Sequence, residues 1–546
     1  MTSSTIKTVT IDKADIPDGG MKSFKQDDDS IILITRDEDE FRAFDGKCPH
    51  AGADLGDGVR CGNRVVCPWH HGTFDSTDGS LLEPVAADGL TQYSLTDNGD
   101  SLSVNTSETI ERSITNDKTN NDKLDDTHTV IVGGGAAGFM TAHRLRKLGY
   151  SGKITIISAD DKAPYDRTLL SKAFMSGEAD EEKLMLGGSD WAENHNINLQ
   201  LKTTVSEVRP SENALTVKKD SGDSDSDSDS ETIRPEFLVV ATGAEPVIPP
   251  IEGAQQSGVY TLRSLDDAKA IKAASVDKRV VIVGTGFIGM EVASALAKAG
   301  RVASVTVIGR GSRVMSHIIS ASVSDALINR HQDRGVSFVF NASVDKINGD
   351  DKGVSGVTLA SGERIDADMV ILGTGVSPRT DVLSDVNDPD GVQVDKHLQL
   401  RDGVYALGDI AKAPNQMGRM RIEHWRVALQ HGLVTAAAIM GADDVYDNTE
   451  RVPFFWTMQC DKSMRYSGHA ATTDHSILQG DLQQFNYIEF YFDDEGEDTR
   501  ASAASGVGHD KEMAAFGELL RRGHAPTRAQ INAGFNVIEQ AHALSR

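Results

Sequence analysis

Apolar and polar positions change their pattern twice along this chain. Up to about residue 105 the apolar residues come in short runs, Ile31-Ile32-Leu33-Ile34, Phe41-Arg42-Ala43-Phe44, Val65-Val66 and Leu102-Ser103-Val104, with Gly and Asp between them. Runs of this length bounded by turn residues predict short strands and an all-β unit over residues 1–105. From Asn105 to Thr127 almost no apolar residue occurs, and the Thr/Asn/Asp/Lys-rich stretch reads as a flexible polar linker, placed at 106–127. A second polar run, Asp220 to Glu231, alternates Ser and Asp and reads as a solvated loop.

Beyond the linker the period lengthens. The apolar strand His128-Thr129-Val130-Ile131-Val132 runs directly into Gly133-Gly134-Gly135-Ala136-Ala137-Gly138 and then a helical pattern through Gly149. Gly-x-Gly-x-x-Gly after a strand and opening a helix is a dinucleotide fingerprint. Gly133 makes the tight turn, Gly135 admits a pyrophosphate, and Gly138 lets helix and strand approach. The same order recurs at Val280-Val281-Ile282-Val283-Gly284-Thr285-Gly286-Phe287-Ile288-Gly289-Met290-Glu291, about 150 residues on. Two complete fingerprints predict two dinucleotide sites rather than two accidental glycine turns. A late segment, Glu512 to Arg521, has the spacing of a packed helix.

Length and charge narrow the reading. At 546 residues the chain is long enough for three to four domains of ~100–200 residues each. Its 82 acidic and 55 basic residues leave a formal charge of -27, which repels nucleic acid and anionic membrane and makes neither an expected partner. The opening residues lack the basic and apolar regions of a secretory signal, and no run reaches the ~18 apolar residues of a membrane span. Four cysteines in the whole chain argue against a disulfide framework, so a reducing cytoplasm is expected.

Two of those cysteines carry chemistry. Cys48-Pro49-His50 and Cys67-Pro68-Trp69-His70-His71-Gly72 form two mixed Cys/His pairs, sixteen residues separating His50 from Cys67. A Rieske [2Fe–2S] centre holds one iron by two Cys and the other by two His, so Cys48, His50, Cys67 and His70 suit it. A structural zinc site also takes Cys2His2, although its spacings usually pair like with like. His71 breaks the register and reads as a neighbouring or surface residue, and Cys61 as a loop or core thiol. The stretch resembles a Rieske ferredoxin. Some Rieske proteins add a disulfide between their ligand loops, but here the corresponding positions hold Ala53 and Trp69.

Residues 128–450 resemble the two-dinucleotide flavoprotein reductases, which include the ferredoxin reductases of oxygenase systems and apoptosis-inducing factor. The resemblance rests on Pro164-Tyr165-Asp166-Arg167-Thr168-Leu169-Leu170-Ser171-Lys172, Val239-Val240-Ala241-Thr242-Gly243-Ala244 and Ile371-Leu372-Gly373-Thr374-Gly375-Val376-Ser377-Pro378. It continues through Gly403-Val404-Tyr405-Ala406-Leu407-Gly408-Asp409, Glu423-His424-Trp425 and Pro453-Phe454-Phe455-Trp456-Thr457-Met458. With the Rieske unit in front, the chain is most similar to Rieske-containing, apoptosis-inducing-factor-like reductases.

That resemblance implies an all-β Rieske domain followed by two doubly wound α/β dinucleotide-binding domains and a C-terminal α+β domain. The expected boundaries are 128–266 and 387–450 for FAD, 267–386 for an inserted NAD(P) domain, and 451–546 for a unit that covers the flavin and helps form a homodimer. It implies FAD contacts from Gly133, Gly135, Gly138, Asp160, Arg167, Lys172, Thr242, Gly243, Gly408, Asp409, Trp425 and Trp456. Gly284, Gly286, Gly289, Glu291, Arg310 and Gly375, in the turn closing the nicotinamide-nucleotide domain, would serve the NAD(P)H site, and Lys172, Glu423 and Trp456 would be catalytic. Asp160 stands for the residue on the FAD ribose, one position late, a surface Asp being the alternative. Disulfide-reducing relatives carry a redox Cys pair beside the flavin; Cys460 stands alone here, so disulfide reduction is not expected.

The implied activity is NAD(P)H oxidation through FAD to the fused cluster and on to an unknown acceptor, with the linker letting the Rieske domain swing between flavin and acceptor. A redox-regulated signalling protein, or the reductase component of an oxygenase or nitrite-reducing system, are the alternatives. At the second fingerprint the strand Val305-Thr306-Val307-Ile308 ends in Gly309-Arg310-Gly311-Ser312-Arg313, with no carboxylate to reject a 2′-phosphate. NADPH is therefore expected to be at least tolerated. Arg310 and Arg313 could equally be solvated loop residues in a permissive site.

Overall fold

The computed structural model describes residues 8–111, 124–219, 230–351, 353–386, 388–442 and 448–544. Most of the expected linker, and the Ser/Asp run from 220 to 229, lie outside the described residues.

The N-terminal unit is built from two antiparallel sheets. Six strands run in the order Thr8–Asp12, Ser101–Ile110, Gln92–Asp97, Glu40–Asp45, Ile31–Asp37 and Met21–Lys25. Four short ones follow in chain order, Val59–Cys61, Arg64–Val66, Thr73–Asp75 and Leu81–Glu83. Leu33, Phe44, Val65, Phe74 and Leu81 share one buried core, while Ile32, Ile34 and Ala43 of the same strands point to the opposite face and bury in a second. Cys48 and His50 lie just past the end of Glu40–Asp45. Cys67 and His70 lie in the turn between Arg64–Val66 and Thr73–Asp75, so both ligand loops sit at one end of the unit. The strand Ser101–Ile110 overruns the boundary expected at 105. After a bulge, Thr109 and Ile110 pair with Tyr93 and Gln92, so the polarity there marks an exposed strand rather than a linker.

The first dinucleotide unit is a mostly parallel sheet ordered Asn198–Gln200, Lys153–Ile157, His128–Val132, Phe237–Val240, Val404–Ala406 and Gln399–Arg401. Its central strands are apolar on both faces because helices cover both sides. Val404–Ala406 comes from far along the chain yet pairs with Phe237–Val240, so the intervening nucleotide domain is an insertion. That second sheet is ordered Val259–Tyr260, Met369–Leu372, Arg279–Val283, Ser304–Ile308 and Val336–Val339. Val259–Tyr260 already belongs to it, and the helix Leu265–Ala274 spans the boundary expected at 266/267. The crossing is instead the ribbon Ala244–Pro246 paired with Val376–Pro378, which also moves the return ahead of 386/387.

The C-terminal unit is an antiparallel sheet, Phe454–Gln459, Lys462–Gly468, Ala501–Val507, Asn486–Phe492 and Ser476–Asp481, covered by the helix Asp510–Arg521. That helix buries Met513, Ala514, Phe516, Leu519 and Leu520. Val59, Cys61 and Val66 of the Rieske unit share this apolar core, which makes Cys61 a core thiol and ties the two ends of the chain together.

Candidate active site

The ligand loops are pinned by their own backbone. Cys48 N–H donates to Ala53 O at 2.8 Å and Cys67 N–H to Gly72 O at 2.8 Å, closing each loop over its cysteine. The Cys48 thiol accepts from the N–H groups of His50 and Ala51, and that of Cys67 from those of Trp69 and His70. The hydrogen bond between the two thiols raises Cys48 and lowers Cys67, so one sulfur gives up its proton readily beside the other. His50 Nδ1 and His70 Nδ1 approach to 3.1 Å, and burial lowers both rings so that they stay neutral, as ligands must. Among the described residues no three His, Cys, Asp or Glu side chains converge as they would on a single ion. Two sulfurs meet each other and two imidazoles meet each other. That is the donor set of a two-iron cluster with two protein ligands per iron, and it does not suit mononuclear zinc.

The imidazole pair faces into the molecule. A cavity of about 640 Å³ has His50 and His70 on one side and Leu169, Lys172, Glu291, Trp425 and Trp456 on the others. The ring of Trp456 lies 4.4 Å from that of His70 and 6.3 Å from that of His50. Lys172 Nζ donates to Glu291 at 2.8 Å and to Thr168 O at 2.9 Å. Glu291 is 3% exposed and also accepts from Ser171 Oγ at 2.5 Å and Thr457 Oγ1 at 2.6 Å, so the carboxylate is saturated. Thr457 in turn accepts from Gln459, which reaches His331 at 3.0 Å. Burial lowers His331 to about 4, and it stays neutral.

The glycine loops fit dinucleotides. A Cβ on Gly133, at φ +114°, would lie 2.2 Å from Ala241 O, and one on Gly138 would lie 2.1 Å from Gly133 O; one on Gly135 would meet nothing. The second loop repeats this, with Gly284 against Gly373 O at 2.2 Å, Gly289 against Gly284 O at 2.5 Å and open space at Gly286. The pyridine nucleotide-disulphide oxidoreductase profile matches residues 127–432, more than half the chain. The chain belongs to that family.

The Rieske [2Fe–2S] domain profile matches residues 7–94 of this oxidoreductase. The apoptosis-inducing factor 3 of Mus musculus is 29% identical over 517 residues, spanning 92% of this chain and 82% of that protein. The rubredoxin-NAD(+) reductase of Pseudomonas putida is 34% identical over 355 residues, 64% of this chain and 88% of that one. The crystal structure of the covalent putidaredoxin reductase–putidaredoxin complex matches with TM-score 0.69 at 26% identity, covering 77% of this chain and 99% of that chain. The protein is thus an FAD-dependent NAD(P)H oxidoreductase with a Rieske [2Fe–2S] domain fused to its reductase core. Its four cysteines are all free, and Cys460 is buried. No helix among the described residues is long and apolar enough to cross a membrane.

The remaining residues expected at the site divide. Asp409 follows Gly408, at φ +74°, and pairs with Arg263 at 2.8 Å; Gly408 N–H donates to His431 Nδ1. Thr242 Oγ1 donates to Arg379 O at 2.7 Å, and Gly243 O accepts from Arg379 N–H, so this turn fastens the crossing between the two nucleotide units; Gly375, at φ +96°, lies beside it. Asp160 is engaged elsewhere than expected. It accepts from Tyr165 Oη at 2.9 Å and Arg167 Nη2 at 3.4 Å, while Ser158, directly after the strand, is the side chain against Gly134. Arg167 is therefore held by Asp160 and by Arg263 O. Glu423 accepts from Arg421 away from the cavity, whereas Lys172 and Trp456 border it. His71 is buried, not superficial: its ring stacks on Phe454 at 3.9 Å.

At the nucleotide-reading position Gly309 is buried, and a Cβ there would lie 2.5 Å from Thr285 Cγ2, so no larger residue fits. Arg310 is exposed next to it, while Arg313 pairs with Asp325 at 2.9 Å. Sequence reasoning missed Thr457, Ser171 and Arg263. The first was within reach, because strand alternation beside Trp456 sends position 457 to the opposite, inward face.

Proposed function

We propose that this oxidoreductase delivers electrons singly from its cluster to an external redox carrier protein, and not directly from the flavin. The observation that carries this is the position of His50 and His70, which close the same cavity that Lys172, Glu291 and Trp456 border. FAD, when bound, would supply the switch from two-electron hydride chemistry to one-electron release, and a cluster held by Cys48, His50, Cys67 and His70 would supply a one-electron site at about −150 to +300 mV. The chain's own residues set the stage. Lys172 holds a positive charge at the cavity wall, fixed in direction by Glu291. Trp456 fills the space against the His70 ring, and the loops around Pro49 and His70 shut out a carrier from this side. The carrier class is supported by the rubredoxin-NAD(+) reductase relative, whose name pairs it with a one-electron protein.

Rapid mixing of the anaerobic holoprotein with NADPH or NADH tests the reading. The flavin band should bleach first and the cluster second, with a low average g-value signal in frozen samples. Stoichiometric zinc without iron and sulfide would sink it. The relative named apoptosis-inducing factor 3, which matches across nearly the whole length, favours one second reading, a signalling protein with regulatory redox modules. Very slow flavin reduction with a long-lived charge-transfer band would select that reading.

The nucleotide preference follows from the strand end. With Gly309 against Thr285 and Arg310 free to turn, NADPH should be accepted, and Arg310→Ala should lower its kcat/KM about tenfold, worth ~1.4 kcal/mol, while barely changing that of NADH. A wild-type preference for NADH above about a hundredfold, ~2.7 kcal/mol, would place the discrimination on another residue.

A further inference from the structure

The Rieske unit meets the reductase core through charges removed from water. Glu83, at the end of Leu81–Glu83, is 3% exposed, and its carboxylate takes Arg451 at 2.6 Å, Arg426 at 3.1 Å, Arg64 at 3.3 Å and Gln430 at 2.5 Å. Burial alone would raise this carboxyl, but Arg451, Arg426 and Arg64 outweigh it and hold it well below the usual carboxylate range. Arg64 also closes on Glu518 of the Asp510–Arg521 helix at 2.9 Å.

Arg426 and a further core arginine, Arg465, also reach the ligand loop. Arg426 donates to the His71 carbonyl at 3.1 Å and to that of Pro84 at 3.0 Å, while Arg465 donates to the Trp69 carbonyl at 2.8 Å. His70 therefore stands between two carbonyls, each gripped by an arginine of the reductase core. Lifting the Rieske unit away would pull the Glu83 carboxylate from Arg426, Arg451 and Gln430 of the core at once, so the contact favours one fixed seat over repeated release.

We propose that Glu83 is a positioning residue that latches the Rieske domain permanently against the core with His70 aimed into the cavity, making the domain a fixed relay. This replaces the swinging motion suggested by the polar stretch before residue 124. It rests on the cluster being the route of the electrons, which the Cys67→Ser variant tests separately.

The latch is tested on the holoprotein with a zero-length carbodiimide crosslink. Lys147 Nζ lies 2.8 Å from Asp88, both about half exposed and on opposite sides of the interface. Mass spectrometry should find the Asp88–Lys147 amide in the wild type, and the crosslinked protein should reduce a carrier such as cytochrome c within about twofold of the untreated rate. Glu83→Gln, which takes the negative charge from among Arg426, Arg451 and Arg64, should give at least about fivefold less of that amide, keep its iron and its flavin reduction, and reduce the carrier at least about tenfold more slowly. Loss of carrier reduction on crosslinking the wild type, or wild-type yield and rate in Glu83→Gln, would overturn the latch. Should Glu83→Gln not fold, the crosslinked wild type alone decides between a fixed and a moving domain.

Discussion

Replacing Cys67 by serine should leave NAD(P)H-driven flavin reduction within about threefold of wild type while cutting reduction of a one-electron carrier at least about a hundredfold, equivalent to ~2.7 kcal/mol of barrier. The separation is expected because the two functions rest on different residues. Cys67 belongs to a hairpin turn of the N-terminal unit, whereas Lys172, Glu291 and Thr457 hold one another without any help from it. The apolar core that Val59 and Val66 share with Phe516 should keep the emptied domain in place, still covering the cavity and denying a carrier the flavin. His70→Ala, made alongside, should behave the same way. Stopped-flow absorbance and iron analysis check both, and a Cys67→Ser protein that still reduces the carrier would remove the cluster from the route.

Glu291→Ala should destabilise the reductase core by about 3–5 kcal/mol, because it strands the Lys172 ammonium, with a side chain 13% exposed, opposite a void. It also orphans the hydroxyls of Ser171 and Thr457. Glu291→Gln keeps the shape and should cost less. Adding Lys172→Met to Glu291→Gln should recover most of the stability, since an apolar replacement of a buried pair is often near neutral. Flavin reduction should stay slow in the double variant. Calorimetry of the wild type, Glu291→Gln, Lys172→Met and the double variant completes the cycle, and additive losses would show that the two side chains do not depend on each other.

What could be read ahead of the structure was what local geometry dictates. The Cys-x-His and Cys-x-x-His pairs and both glycine loops work within a single turn of chain, so their residues are neighbours in sequence and in space. The partners of Asp160 and Glu423 were not legible, because a carboxylate takes the nearest good donor, and here Tyr165, Arg167 and Arg421 are those donors. The strand Ser101–Ile110 looked like linker because its outer residues are polar, and only its partner Gln92–Asp97 reveals it. Glu83 carried no signal at all. Its partners Arg426, Gln430 and Arg451 stand more than three hundred positions away, and nothing in a stretch reading Leu81-Leu82-Glu83-Pro84 announces a buried anion.

The position of Glu83 bears on how the enzyme responds to its surroundings. A reductase that meets a separate carrier by diffusion depends on protein concentration and on exposed charges, whose attraction fades beyond a Debye length of ~8 Å at physiological ionic strength. Here the first acceptor is covalently attached and seated on ion pairs that mobile ions do not reach. Electron delivery from the flavin to the cluster is accordingly a first-order process, the same in dilute and crowded solution and indifferent to added salt. Ionic control is left to the two encounters at either end, nucleotide with core and cluster with carrier.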